Sequence, residues 1–193
     1  MKKLLLIVLC LLICAGSSYG RYSPGSIMLF SDSLGTNCDL YDTSEQIQKI
    51  YVFHMYCSNP GATGSEWRVI QSGGATLTHL QDHYIIEPIM YIYINNSQIG
   101  ISVAYLHCAP CPNPILSISY WGFGTSAECS YLHVVENPIV SHTGLNVTDC
   151  TEPSPVVHHA LGGSLVINPT AACLCDVPVE ETSWGRIKAL YFE

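Results

Sequence analysis

Charge is scarce in this chain. Only 11% of its 193 residues are charged, with 7 Lys and Arg against 15 Asp and Glu and a formal net charge of −8. A typical soluble domain carries about 25% charged residues. So few cations exclude the basic footprint that nucleic-acid binding needs, and the acidic balance disfavours anionic membrane surfaces. With 48% hydrophobic residues the chain is not a disordered one either. Its surface must be built largely from neutral Ser, Thr, Asn and Tyr.

Long apolar runs are also missing, apart from Leu4 to Ala15 in the opening "MKKLLLIVLCLLICAGSSYG". A membrane-crossing helix needs about 20 such residues, so no stable membrane insertion is expected once this segment is removed. Two lysines, an apolar stretch and small residues are the layout of a secretory signal peptide, predicted over residues 1–20 with the cut before Arg21. Residues 21–193 then form a single domain that is secreted, periplasmic or on the cell surface.

Helical periodicity is absent over any long stretch. The one helical signal is "DTSEQIQK", a short turn capped by Thr43. Period-two alternation takes its place. In "IGISVAYL", Ile99, Ile101, Val103 and Tyr105 share a face; in "ILSISYW", Leu116, Ile118 and Tyr120 do; in "KIYVFHMY", Tyr51, Phe53 and Met55 do. "SIMLFS", "EWRVIQ", "YIIEPIMYIYI", "YLHVVE", "SLVIN" and "RIKALYF" are further strand candidates, separated by turns such as "NPGATG", "QSGG" and "GFGTS". Many short strands without intervening helices predict an all-β, disulfide-stapled β-sandwich, immunoglobulin-like or related, with a barrel as the alternative.

Catalytic signatures are missing too. There is no G-x-S-x-G elbow, and "HLQDH" (His79, His83) has Leu80 where a zinc protease needs Glu. The loop acids Asp32, Asp39 and Asp42 form no D-x-D-x-D-G calcium loop, and "GGSL" at Gly162 reads as a glycine pair leading into a strand. No cofactor and no metal site is expected.

Cysteine is what the chain has in excess, with ten in all. Cys10 and Cys14 fall in the leader; Cys38, Cys57, Cys108, Cys111, Cys129, Cys150, Cys173 and Cys175 are the disulfide candidates of an exported chain. "HCAPCP" carries the C-x-x-C of a redox dithiol. A redox pair needs a helix start to lower a thiol pKa, and here Pro110, Pro112 and Pro114 surround the motif. A zinc site shared with Cys173 and Cys175 has the wrong spacing. Two cysteines bonded elsewhere is the favoured reading, with one of them reaching Cys129.

Aromatic side chains offer the binding hypothesis. Trp67 and Trp121 are the candidates for stacking on a sugar or burying in a partner interface, against the alternative that they fill the core.

The chain closes with "CLCDVPVEETSWGRIKALYFE", in which Pro178, Glu180, Thr182, Trp184, Gly185, Ile187, Lys188, Leu190 and Tyr191 make a distinctive phrase. This phrase resembles the "TWG-IKALY"-like ending of predicted exported proteins of environmental bacteria. "GSIMLFSDSLGTNC" and "YVFHMYCSNPGATGSEWRV" are similar to that group as well, while Ser183 and the final Phe192 and Glu193 depart from it. The resemblance implies an exported bacterial β-sandwich and no catalytic residue. The last segment itself reads as a strand with Ile187, Ala189 and Tyr191 inward.

The functional expectation is a non-enzymatic exported structural, adhesive or binding protein whose partner is an extracellular protein or glycan. A carbohydrate- or protein-binding module at exposed aromatics is the second reading. An extracytoplasmic thiol or metal enzyme at Cys108 and Cys111 is the third.

Overall fold

The computed structural model describes residues 25–55, 61–86, 88–91, 96–139 and 144–175. The expected leader, Cys57, His142, Trp184 and the expected strand "RIKALYF" lie outside the described residues. Strands make up the regular structure: β1 (Ser26–Phe30), β2 (Asp39–Leu40), β3 (Glu45–His54), β4 (Ala62–Ser72), β5 (Thr78–Tyr84), β6 (Pro88–Tyr91), β7 (Ile101–Ala109), β8 (Asn113–Phe123), β9 (Ser130–Val135), β10 (Asn146–Asp149), β11 (Val157–His159), β12 (Leu161–Gly162) and β13 (Ser164–Ile167). They form a sandwich, as the alternation predicts. One sheet has the order β12-β1-β3-β8-β5 and the other β11-β10-β4-β9-β13-β2, with β7 joining β4 and β6 joining β7.

The inward residues of each sheet follow directly from the pattern. Ile50 and Val52 of β3, Leu116, Ile118 and Tyr120 of β8, and Ile27 and Leu29 of β1 meet Trp67 and Val69 of β4, Ile101 and Val103 of β7, and Leu132 and Leu165. Each such fully buried side chain contributes about 1.5–3 kcal/mol by leaving water. A second, smaller cluster lies apart from the main core, where Met28, Phe30 and Phe53 pack with Cys38. The Phe30 and Phe53 rings meet edge-on at 5.0 Å. Hence β1 and the end of β3 bury both faces.

Gly162 and Gly163 do more than lead into a strand. Here the chain leaves β1 in one sheet and joins β9 in the other. Gly163 N–H donates to the Ile27 carbonyl and its own carbonyl accepts from Val134 N–H, at 2.8 and 2.9 Å. A Cβ on Gly162 would run into the Val134 carbonyl, and one on Gly163 into the Met28 sulfur. Only a residue without a side chain allows both backbones this approach.

The helical turn expected at "DTSEQIQK" is replaced by the entry to β3. Asp42 is buried, and its carboxylate accepts Gly124 N–H at 2.9 Å and Ser126 N–H at 3.1 Å. Gln48 Nε2 donates to the Tyr41 carbonyl at 3.0 Å. These bonds and ten residues of pairing with β8 outweigh the local capping signal carried by Thr43.

Candidate binding face

The outer face of the five-stranded sheet is set by register. Along β3, Glu45, Ile47, Lys49 and Tyr51 point away from the core while Gln48, Ile50 and Val52 point into it. Ile47 pairs with Trp121 of β8, Glu45 with Phe123, and Lys49 with Ser119. On the other side of β8, Thr78 of β5 pairs with Trp121 and Gln81 with Ser119. Ile47 is 61% exposed and Phe123 48% exposed, with Trp121 half-buried between β3 and β5. Single exposed apolar residues are ordinary; a row of three on adjacent positions of one sheet face is not.

The face is held stiff from behind. Gly122, between Trp121 and Phe123, has the Asp42 carboxylate against its Cα, leaving no room for a side chain. Asn168 Nδ2 donates to the Ser126 carbonyl at 2.8 Å, and its Oδ1 accepts from Asp42 N–H at 2.8 Å. Burial raises the Asp42 pKa, but hydrogen bonds from Ser126 and Gly124 outweigh it and leave the carboxyl below its ordinary value. On the face itself, Lys49 Nζ lies 5.7 Å from the centre of the Tyr51 ring, within cation–π range.

Trp67, the other aromatic candidate, is not on any surface. It is fully buried, its indole N–H donates to Ser65 Oγ at 3.1 Å, and Ser65 Oγ meets the Tyr105 hydroxyl at 2.6 Å. Its position on the inward alternation of β4 makes it core. Ile47 and Phe123 were not legible as site residues: Ile47 stands in the polar run "EQIQK" and Phe123 in the turn "GFGTS". Their signal is the pairing with Trp121, which needs the register.

The cysteines among the described residues are staples. Cys38 bonds to Cys175, Cys108 to Cys150 and Cys129 to Cys173, with Cα separations of 5.7, 5.8 and 5.7 Å, and Cys111 is disulfide-bonded as well. The expected link from "HCAPCP" to Cys129 is therefore wrong. Cys108 ends β7 beside the start of β4, where Cys150 N–H donates to the Gly61 carbonyl. Cys129 sits at the opposite end, next to the exit of β13. Cys108 is bonded to Cys150 rather than to Cys111, so the two do not form the dithiol of the redox reading, and with both sulfurs in disulfides neither offers a thiolate to zinc. Among the described residues no three His, Cys, Asp or Glu side chains are gathered to hold a metal.

The remaining polar clusters serve the fold. Asp82 accepts Ser97 N–H and Ser97 Oγ at 2.7 and 2.8 Å and pairs with His79 Nε2 at 2.9 Å, tying β5 to the turn before β7. Asp149 accepts Thr151 N–H and Val156 N–H and pairs with His158 Nε2 at 2.8 Å. The loop acids behave alike: Asp32 closes its own turn through Leu34 and Thr36, and Asp39 accepts Cys175 N–H.

His133 of β9 brings serine and histidine side chains together. His133 lies between Ser72 Oγ on Nε2 and Ser164 Oγ on Nδ1, both at 2.7 Å, and stacks on Tyr131. Burial lowers its pKa. A hydroxyl in place of a carboxylate on Nδ1 supplies no charge to hold the imidazolium that acyl transfer requires. The trio is a cross-strand ladder over β4, β9 and β13.

No family model matches the sequence, and comparison with curated proteins finds no relative. Among solved structures the chain is similar to the sixth cohesin of scaffoldin B from Acetivibrio cellulolyticus, solved in complex with a Cel5 dockerin mutant. The identity is 14% and the TM-score 0.48, covering 77% of this chain and 99% of that one. It is similar to the cohesin module of a family 33 glycoside hydrolase from Clostridium perfringens, at 12% identity and TM-score 0.47, over 77% and 99%. A third is the seventh ScaB type I cohesin of Pseudobacteroides cellulosolvens, at 10% identity and TM-score 0.45, over 76% and 94%.

Proposed function

We propose that this protein is a non-enzymatic, exported binding module that docks on a protein partner with the outer face of its five-stranded sheet, centred on Trp121. The apolar row of exposed Ile47, half-buried Trp121 and exposed Phe123 carries the reading, because such a row on a sheet face gains free energy only when something covers it. Aliphatic Ile47 beside a half-buried indole favours a protein surface over a sugar, which would use a freely exposed ring. The disulfides support an oxidising location outside the cytoplasm, in keeping with the leader and the exported proteins that the closing phrase resembles.

The test is a photoactivatable residue placed at position 47 of the exported protein, with the same residue at position 131 on the other sheet as control. Capture of an extracellular protein from position 47 alone, reduced at least about tenfold by Trp121→Ala, is the expected result. Capture only from position 131 would contradict the choice of face. Binding to a glycan panel that is lost in Trp121→Ala would replace the protein partner with a sugar, and turnover of a glycan or peptide would overturn the non-enzymatic reading.

A further inference from the structure

The same face carries a symmetry in its charges. On β3, Glu45 and Lys49 stand two residues on either side of Ile47, all on the outward alternation and all exposed. Successive outward residues are about 7 Å apart along a strand. Lys49 is rare: among the described residues the permanent cations are Lys49 and Arg68. It therefore stands on an otherwise acidic body, on the apolar face, with an acid placed at the mirrored distance from the centre of the row.

We infer that the occupant of this face is a second copy of this chain, bound about a two-fold axis that lies in the interface and runs across the strands from Ile47 to Trp121. The inference rests on the face proposed above. Such an axis reverses the strand direction between copies. It sets Lys49 of each copy opposite Glu45 of the other, Ile47 opposite Ile47, and Trp121 opposite Trp121. Two sheets packed face to face stand about 10 Å apart, a gap that an extended lysine and a glutamate span together. An isologous contact needs self-complementarity of this kind.

An axis parallel to the strands and directly over β3 would bring Lys49 onto Lys49 and Glu45 onto Glu45, and one lying between β3 and β8 would set Lys49 opposite Ser119 and Glu45 opposite Phe123. Like charges facing one another oppose association and a charge opposite an uncharged residue gains no partner, so the charge pattern favours the axis across the strands, which alone of these pairs each Lys49 with a Glu45. It also explains why an acidic protein with a formal net charge of −8 keeps a lysine here: two acidic bodies repel, and the two crossed pairs offset that repulsion where the bodies touch.

Sedimentation velocity of the exported, disulfide-bonded protein over the micromolar range tests this at low and high salt. The wild type is expected to dimerise, and Trp121→Ala or Ile47→Asp to abolish the dimer while the circular dichroism spectrum of the fold is kept, with the melting temperature becoming independent of concentration. Lys49→Glu and Glu45→Lys singly are expected to weaken it at least about tenfold, and the double exchange Glu45→Lys/Lys49→Glu to restore it. A wild type that stays monomeric throughout would overturn the second copy as occupant. A dimer indifferent to Trp121→Ala would do the same, and failure of the double exchange to restore association would overturn the axis. A monomer that still captures a different extracellular protein from position 47 leaves the proposed function standing and removes only the self-association.

Discussion

His54 shows how far a single residue can be understood from its surroundings. It is fully buried, its ring edge-on to Tyr105 at 6.4 Å, and burial lowers its pKa from the ordinary 6.5 to about 4. The native state therefore holds a neutral imidazole where the unfolded chain would take up a proton. Stability contributed by this group is present above pH 6.5 and declines as pH falls toward 4, by about 3 kcal/mol over that window. Urea unfolding between pH 7 and pH 4.5 is expected to show this decline, and His54→Leu to flatten it. A wild-type curve without slope in that window would contradict the burial argument. Asp149 acts with the opposite protonation and the same overall sign. Hydrogen bonds from Val156 and His158 are the largest causes holding its pKa below the carboxylate range, so its contribution is lost only as pH falls below about 4. Asp149→Asn is expected to cost about 1–3 kcal/mol in unfolding experiments at pH 7 and to speed amide exchange at Thr151 and Val156.

At the scale of elements, the Gly162–Gly163 crossing and the disulfides decide how the two sheets stay together. Gly162→Ala places a methyl group against the Val134 carbonyl, which is backbone and cannot rotate away. The expected cost is about 3 kcal/mol, at the upper end of overpacking effects, read as a lower unfolding midpoint. An unchanged midpoint would mean that β12 and β13 do not cross as described. Cys129→Ser/Cys173→Ser opens a link between residues 44 apart in sequence, and loop entropy puts its contribution at about 4 kcal/mol. These elements also mark what the sequence could and could not reveal. Strands β1, β3, β4, β7, β8, β9 and β13 are legible because alternation over four to eleven residues is a strong signal. The two- and three-residue strands β2, β11 and β12 are too short to alternate, and β5 hides a register shift between His79 and Gln81. Asp42 defeated the helical reading because its partners, Gly124 and Ser126, lie more than eighty residues away. Within the candidate face, Trp121 was visible as an aromatic on an alternating strand. Ile47 and Phe123 were not, because cross-strand neighbours exist only once the register is set.

Among the described residues the two sheets pack as a sandwich, and the five-stranded sheet is the one on which we place the docking face. Its outer side bears an apolar row where the other clusters of polar side chains are spent on turns, loops and cross-strand ladders. That contrast is the central claim, and hydroxyl-radical footprinting tests it most directly. Side-chain oxidation would be compared between the dilute, purified protein and the protein in its native extracellular setting. Trp121, Phe123 and Ile47 are predicted to become protected in the native setting while Tyr131 and Leu106, on the other sheet, are oxidised equally in both. Equal oxidation of Trp121 and Phe123 in the two states, with protection on the β4–β9–β13 side, would contradict it.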